Sequence, residues 1–159
     1  NKVRFMSFSD GYLQADLMSR RAVVRVIRQE KPTILLSSDP LNFFPSEVNI
    51  NHPDHRIAGQ IASEAIFPAS GNPLFFPELL DEGLEPHSVK EVWFSLTSQA
   101  NTVIDVTSFW DFKIKALHEH GSQIADHTQL EKRIRGRRTA DSTEDAPRYE
   151  ERFRRIVFG

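Results

Sequence analysis

The chain has 159 residues, 39% hydrophobic and 26% charged, with a formal net charge of -2. That is the size and composition of one ordinary globular domain, and the charge leaves no global field to gather nucleic acid or an anionic membrane. It has no cysteine, which excludes disulfides, thiolate nucleophiles and cysteine-ligated zinc and fits a reducing cytoplasm as the expected location.

Val3 to Phe8 reads as a short strand that ends at the turn Ser9-Asp10-Gly11. A helical pattern follows, with Leu13, Leu17, Val24 and Ile27 on one face, arginines on the others, and Lys31-Pro32 as the stop. Thr33 to Ser37 is a compact apolar run suited to a buried parallel strand. Asp39-Pro40 opens a loop through Asn42-Phe43-Phe44-Pro45, which leads into N-H-P-D-H-R-I-A-G at residues 51–59. Beyond Pro53 a second helical stripe runs through Ile57, Ala58, Ile61, Ala62, Ala65 and Ile66 until Pro68 ends it.

Residues 68–87 are rich in proline, glycine and phenylalanine and read as an irregular connection. Val89 to Leu96 and Asn101 to Val106 are expected strands. Ser108 with Asp111 looks like the capped start of a helix through Trp110, Ile114 and Leu117, ending at residues 118–123. Beyond Ala125 the chain is polar and charged, and residues 148–154 read as a final helix or turn. No apolar run approaches the roughly 20 residues of a membrane span. Alternating strands and helices predict an α/β layered domain. Ligands of such sheets bind beyond the carboxyl ends of the strands. Asp10, Asp39 and the histidine motif each follow an expected strand and so share a rim.

Residues 51–59 carry most of the chemistry. Proline suits the first helical position, so His52 and His55 stand three apart in a first turn and project to one side. Neutral imidazole is the commonest protein metal ligand, and a helix N-terminus disfavours positive charge. One histidine can therefore bind a metal while its neighbour handles a proton. The alternative is a pair of solvated histidines on a polar helix cap. The basic run Glu131 to Arg138 reads as a solvated helix face or loop, with phosphate contact as the less favoured reading.

The H-P-D-H-R-x-A-G run resembles the second motif of the LmbE-like zinc deacetylases, which include N-acetylglucosaminyl-phosphatidylinositol de-N-acetylases, mycothiol-pathway deacetylases and archaeal diacetylchitobiose deacetylases. Other segments agree in order. Asp10-Gly11 with Leu13 resembles D-G-x-L, Arg28 to Pro32 resembles R-x-x-x-P, and Val103 to Thr107 is similar to a V-D-I-T strand. Lys115 with His120-Gly121-Ser122-Gln123 resembles K-x-x-A-x-x-x-H-x-S-Q at a looser spacing, and Tyr149, Glu151, Phe153 and Arg154 fit Y-x-E-x-F-R. The resemblance implies an α/β, Rossmann-like fold: a layered parallel or mixed sheet with flanking helices, residues 1–159 forming one deacetylase domain.

The family's first motif, H-P-D-D, is not present. The expectation is therefore an N-terminally incomplete domain whose first βαβ portion, with the remaining zinc ligands and the general base, lies outside these residues. The resemblance implies one catalytic Zn2+, with His55 as the ligand present here and His52 as the catalytic histidine beside the scissile amide. It makes Asp54 the partner that holds the His52 tautomer, and Asp10 an acceptor for sugar hydroxyls. Plain helix capping by Asp54 and an ordinary turn role for Asp10 stay open. The implied reaction releases acetate and a free amine from an N-acetylglucosamine-type amino sugar or conjugate. A homo-oligomer is compatible with this. The rival readings are a catalytically inactive sugar-binding or assembly module, and a zinc amidohydrolase for a different amide.

Overall fold

In a computed structural model, which describes residues 2–159, the first helix begins on a reciprocal cap. The Asp16 carboxylate accepts from the Ser19 N–H at 2.8 Å, and the Ser19 hydroxyl accepts from the Asp16 N–H at 3.2 Å. This capping box starts α1, Leu17–Glu30. Lys31 ends it in the left-handed conformation (φ 48°), its N–H donating to the Ile27 carbonyl at 2.8 Å, and Pro32 bars continuation. The stop is the expected one.

Strand β1, Ile34–Ser38, follows at once and pairs in parallel with β2, Glu91–Ser95, from Ile34↔Glu91 to Ser38↔Ser95. Between them the chain forms α2, Pro53–Glu64, then a wide helical turn, Ala65–Ser70, and the one-turn α3, Glu78–Asp81. Phe67 leaves the helical region (φ -134°, ψ 123°), as the residue before a proline is forced to do. β2 also pairs antiparallel with the end of β4, Glu150–Val157, in the register Trp93↔Arg155. With β3, Thr102–Asp105, the strand order is β1-β2-β4-β3. The expected α/β class with a mixed sheet and flanking helices is the one observed.

Two compact units are present. The first holds the residues up to Thr102 together with Phe153–Gly159. Its core joins Val24 and Ile27 of α1, Ala65, Ile66 and Ala69 of the wide turn, Leu79 of α3 and Val92 and Phe94 of β2. Arg28, 1% exposed, lies against this core, and among the described residues no carboxylate bonds to it. Its guanidinium donates instead to main-chain carbonyls: Nε to Ser70 at 3.2 Å, and Nη2 to Asn72 and Phe75 at 2.9 Å each and to Ala69 at 3.3 Å. Burial pushes its pKa down. One side chain thus gathers carbonyls of the irregular stretch after α2, of which Ser70 and Asn72 also accept the main-chain N–H groups of His87 and Phe75.

The second unit, Val103–Arg152, contains α4, Trp110–His118, and α5, His127–Arg135. Its core is Trp110, Ile114, Ile134 and Tyr149, with the Trp110 and Tyr149 rings stacked at 4.2 Å.

Four local expectations are corrected. β1 is parallel as expected but not buried: it is an edge strand among the described residues, with Ile34 and Leu36 45% and 64% exposed. Val3 to Phe8 is not a strand; Val3 and Phe5 are 77% and 91% exposed, and no partner strand pairs with them among the described residues. Ser108 does not cap α4, which is entered through a tight turn, Thr107–Phe109, whose first N–H donates to Asp105 Oδ1 at 2.9 Å. Of the two readings of the basic run, the helix holds as far as Arg135, in α5, which is started by Asp126, whose carboxylate accepts from the Gln129 N–H at 2.8 Å. Residues 150–157 are a strand rather than a helix or turn. Their charged residues hide the period of two, and pairing with β2 decides the conformation.

α2 crosses the end of β1 at very close range. A methyl group on Gly59 would collide with the Ser38 carbonyl oxygen and come within 2.9 Å of the Pro40 nitrogen. Backbone cannot yield to a side chain there, so only glycine fits. We therefore expect Gly59→Ala to lower stability by about 1–3 kcal/mol, read as a reduced Tm, despite the better helix propensity of alanine.

Glu91 yields a pH prediction. Arg155 binds its carboxylate through two bonds of 2.7 and 2.8 Å, and the Trp93 indole N–H donates to it at 2.8 Å. The Arg155 bonds, then the Trp93 bond, lower its pKa from the ordinary 4.5 to about 2. A depressed carboxylate pKa contributes stability that is present above the unfolded value and lost as pH falls through the folded one. The Tm gap between the unsubstituted protein and Glu91→Gln should be constant above pH 5 and shrink between about 4.5 and about 2. A gap independent of pH would contradict this account.

Candidate functional site

The approach to α2 is held by side chains that bond to the backbone. Asp39, buried after β1, accepts the Leu41 N–H on its carboxylate at 2.8 Å and donates its own N–H to the Ser95 carbonyl at 3.0 Å. The Asn42 amide donates to the Leu96 carbonyl. Asn51 donates its side-chain N–H to the Asn42 carbonyl and its main-chain N–H to the Phe43 carbonyl, both at 2.9 Å. The Arg56 guanidinium lies over the Phe43 ring, 3.9 Å from its centroid. His52 therefore emerges from an ordered loop.

His52 is itself the helix cap. Its Nδ1 accepts the Asp54 N–H at 3.2 Å, and Pro53 occupies the first turn as expected. Its Nε2 faces Asp10 Oδ1 at 3.9 Å. The Asp54 carboxylate turns to the other side, where Oδ2 accepts the Gly11 N–H at 2.6 Å and Oδ1 the Leu13 N–H at 3.2 Å. These bonds fasten the turn that carries Asp10, in which Gly11 has φ 81° and the Tyr12 N–H donates to Ser9 at 3.2 Å. His55 lies one turn along, exposed, with its ring 5.4 Å from that of His52 and tilted by 44°.

Asp10, His52, Asp54 and His55 thus all lie at the start of α2. The potential metal-binding atoms of Asp10, His52 and Asp54 lie within 4.8 Å of one another. His55, expected as the zinc ligand, stands beside this group rather than in it. Imidazole nitrogen and carboxylate oxygen are donors that zinc accepts, so the residues fit the ion in type. Several donors are already engaged: Nδ1 of His52 by the cap, and both Asp54 oxygens by the Asp10 turn. Among the described residues no hydrogen bond engages the His55 ring, the His52 Nε2 or the Asp10 carboxylate, which leaves these as the open donors.

Asp10 is brought to the rim by the Asp54 bonds and not by a preceding strand. Asp39 closes a turn and stabilises the loop. His87 Nε2 pairs with the Pro32 carbonyl at 2.8 Å, a structural use. In the second unit, His118 Nε2 is 3.6 Å from Glu131 and His120 is exposed. Gly59, Asn42, Asn51 and the Arg56–Phe43 stack shape the site and were not singled out by sequence. Asn51, Arg56 and Gly59 lie inside the histidine motif, which was the available signal; Asn42 carries none, because its partner is a distant backbone carbonyl.

No protein-family model matches the chain. It is 37% identical over 125 residues to a diacetylchitobiose deacetylase of Thermococcus kodakarensis, a match that covers 79% of this chain and 45% of that protein. The chain thus spans slightly under half the length of this curated relative. Its fold is similar to the N,N'-diacetylchitobiose deacetylase of Pyrococcus horikoshii, solved with an inhibitor, at a TM-score of 0.82 and 29% identity over 99% of this chain and 58% of that one. A conserved protein from Thermus thermophilus shares the fold at a TM-score of 0.67 and 19% identity, over 92% of this chain and 61% of that one. By sequence and by fold the chain is a homologue of part of the diacetylchitobiose deacetylases, which have the LmbE-type fold.

Proposed function

We propose that this chain is part of a zinc-dependent N-deacetylase that hydrolyses the N-acetyl group of an N-acetylglucosamine-type amino sugar or conjugate. Water adds to the amide carbonyl, the C–N bond breaks, and acetate and a free amine leave. The observation that carries the reading is the meeting of His52, Asp54, His55 and Asp10 at one helix start, in a chain 37% identical to a diacetylchitobiose deacetylase.

In this reading His55 holds the metal, together with ligands from an H-P-D-D segment beyond these 159 residues, which also brings the general base. Bound zinc supplies a Lewis acid and lowers the pKa of water to about 7. The remaining steps belong to the chain's own side chains. His52, through Nε2–H, donates a hydrogen bond to the carbonyl oxygen as negative charge builds on it, while the proton that the general base takes from the attacking water passes to the departing nitrogen. Asp10, open to solvent at the rim, accepts hydrogen bonds from sugar hydroxyls and orients the substrate. The loop ahead of His52, held by Asn51, Asn42 and Arg56, keeps the imidazole in place while this happens.

The test uses the full-length protein. Acetate release from diacetylchitobiose and N-acetylglucosamine is followed with bound zinc measured in parallel. His52→Ala should lower kcat by roughly 10²–10⁴-fold while the protein keeps its zinc. His55→Ala should lose the metal as well as the activity, and a chelator should silence the unsubstituted protein until zinc is restored. Full activity in His52→Ala would remove the oxyanion role given to that residue. Stoichiometric zinc without acetate from any N-acetylglucosamine compound would favour an inactive sugar-binding or assembly module, or a different amide.

A further inference from the structure

Asp54 meets two neighbours through two separate groups. Its carboxylate accepts the main-chain N–H groups of Gly11 at 2.6 Å and Leu13 at 3.2 Å. Its own main-chain N–H donates to His52 Nδ1 at 3.2 Å. A ring nitrogen that accepts a hydrogen bond carries no hydrogen, so the neutral His52 ring has its proton on Nε2. That choice is made by the backbone of the first helical turn. Among the described residues no hydrogen bond joins the Asp54 carboxylate to the His52 ring.

The carboxylate has other work. Among the described residues, Asp54 is the only side chain to which residues 9–13 donate a hydrogen bond. The turn brings Asp10 Oδ1 to 3.9 Å from His52 Nε2. That distance is beyond direct hydrogen bonding, so the Nε2–H stays free to donate elsewhere. A charged acceptor holding two N–H groups is the stronger kind of hydrogen bond and can order an exposed turn.

We infer that Asp54 is a positioning residue with divided duties. Its carboxylate sets the Asp10 turn against His52, and its main-chain N–H fixes the tautomer in which His52 donates through Nε2. Only the kinetic consequence rests on the deacetylase reading. There, loss of the carboxylate weakens substrate capture at Asp10 more than chemistry at His52.

Asp54→Ala in the full-length protein separates the two duties, because alanine keeps the N–H and removes the carboxylate. Hydrogen exchange at the Gly11 and Leu13 amides should accelerate roughly ten- to hundredfold, the loss expected for bonds to a charged acceptor. The 15N signature of the His52 imidazole should remain that of the Nε2–H tautomer. KM should rise about tenfold while kcat stays within about threefold. Asp54→Asn keeps an acceptor of the same shape and should recover part of the protection; it also serves if the alanine variant loses its fold.

An Nδ1–H signature in the unsubstituted protein would overturn the tautomer assignment. Unchanged exchange at Gly11 and Leu13 in both variants would overturn the clamp. A collapse of kcat at constant KM would return the carboxylate to His52 as its charge partner. Failure of the deacetylase reading is distinct: the unsubstituted protein would release no acetate, while the exchange and 15N readouts would still decide the role of Asp54.

Discussion

The close crossing of α2 over the end of β1 is the constraint on which the site depends. At Gly59 the helix backbone comes so near the Ser38 carbonyl and Pro40 that no side chain can stand between them. This contact pins the helix to the strand near the strand's carboxyl end, and the helix start is carried to the rim where α/β sheets bind ligands. His52, Pro53, Asp54 and His55 inherit their position from that contact. Glycine inside the histidine motif is therefore a packing requirement for the chemistry several residues away.

Around this contact, polar side chains serve the backbone more than one another. Arg28 collects four carbonyls after α2, Asp54 two N–H groups in the Asp10 turn, and Asn51 and Asn42 fasten the loop between β1 and α2. Irregular segments cannot satisfy their own backbone groups, and an unpaired buried one costs about 1–3 kcal/mol. A long side chain that binds several such groups orders a loop without regular structure. Arg28 stays buried on these terms although desolvation works against its charge. Loops held in this way keep a fixed geometry at the start of α2.

Elements whose signal lies within their own residues were legible. α1 shows its stripe and its Lys31-Pro32 stop, α2 its Pro53 start, and β1 and β2 their apolar runs. The elements that failed depend on distant partners. Val3 to Phe8 has strand composition but no strand beside it, while residues 150–157 look polar and become a strand because β2 lies alongside. α5 was one of two readings of the basic run, and it buries a single residue, Ile134, too thin a stripe to decide between helix and loop. The Thr107 turn before α4 is capped by Asp105 rather than by the Ser108 that matched the pattern, because backbone geometry selects the carboxylate.

By itself the sequence determined the α/β class, the helix start that carries His52 and His55, and the likeness to LmbE-like deacetylases. These follow from local periodicity, from proline at a first turn, and from the spacing of residues close together in the chain. Tertiary structure alone decided which neighbours those residues meet. It turned the Asp54 carboxylate toward residues 11–13 and set Asp10 across from His52 Nε2. The physical reason is distance along the chain. Hydrogen bonds between residues some forty positions apart leave no periodic trace, and they form only after the backbone has been brought together.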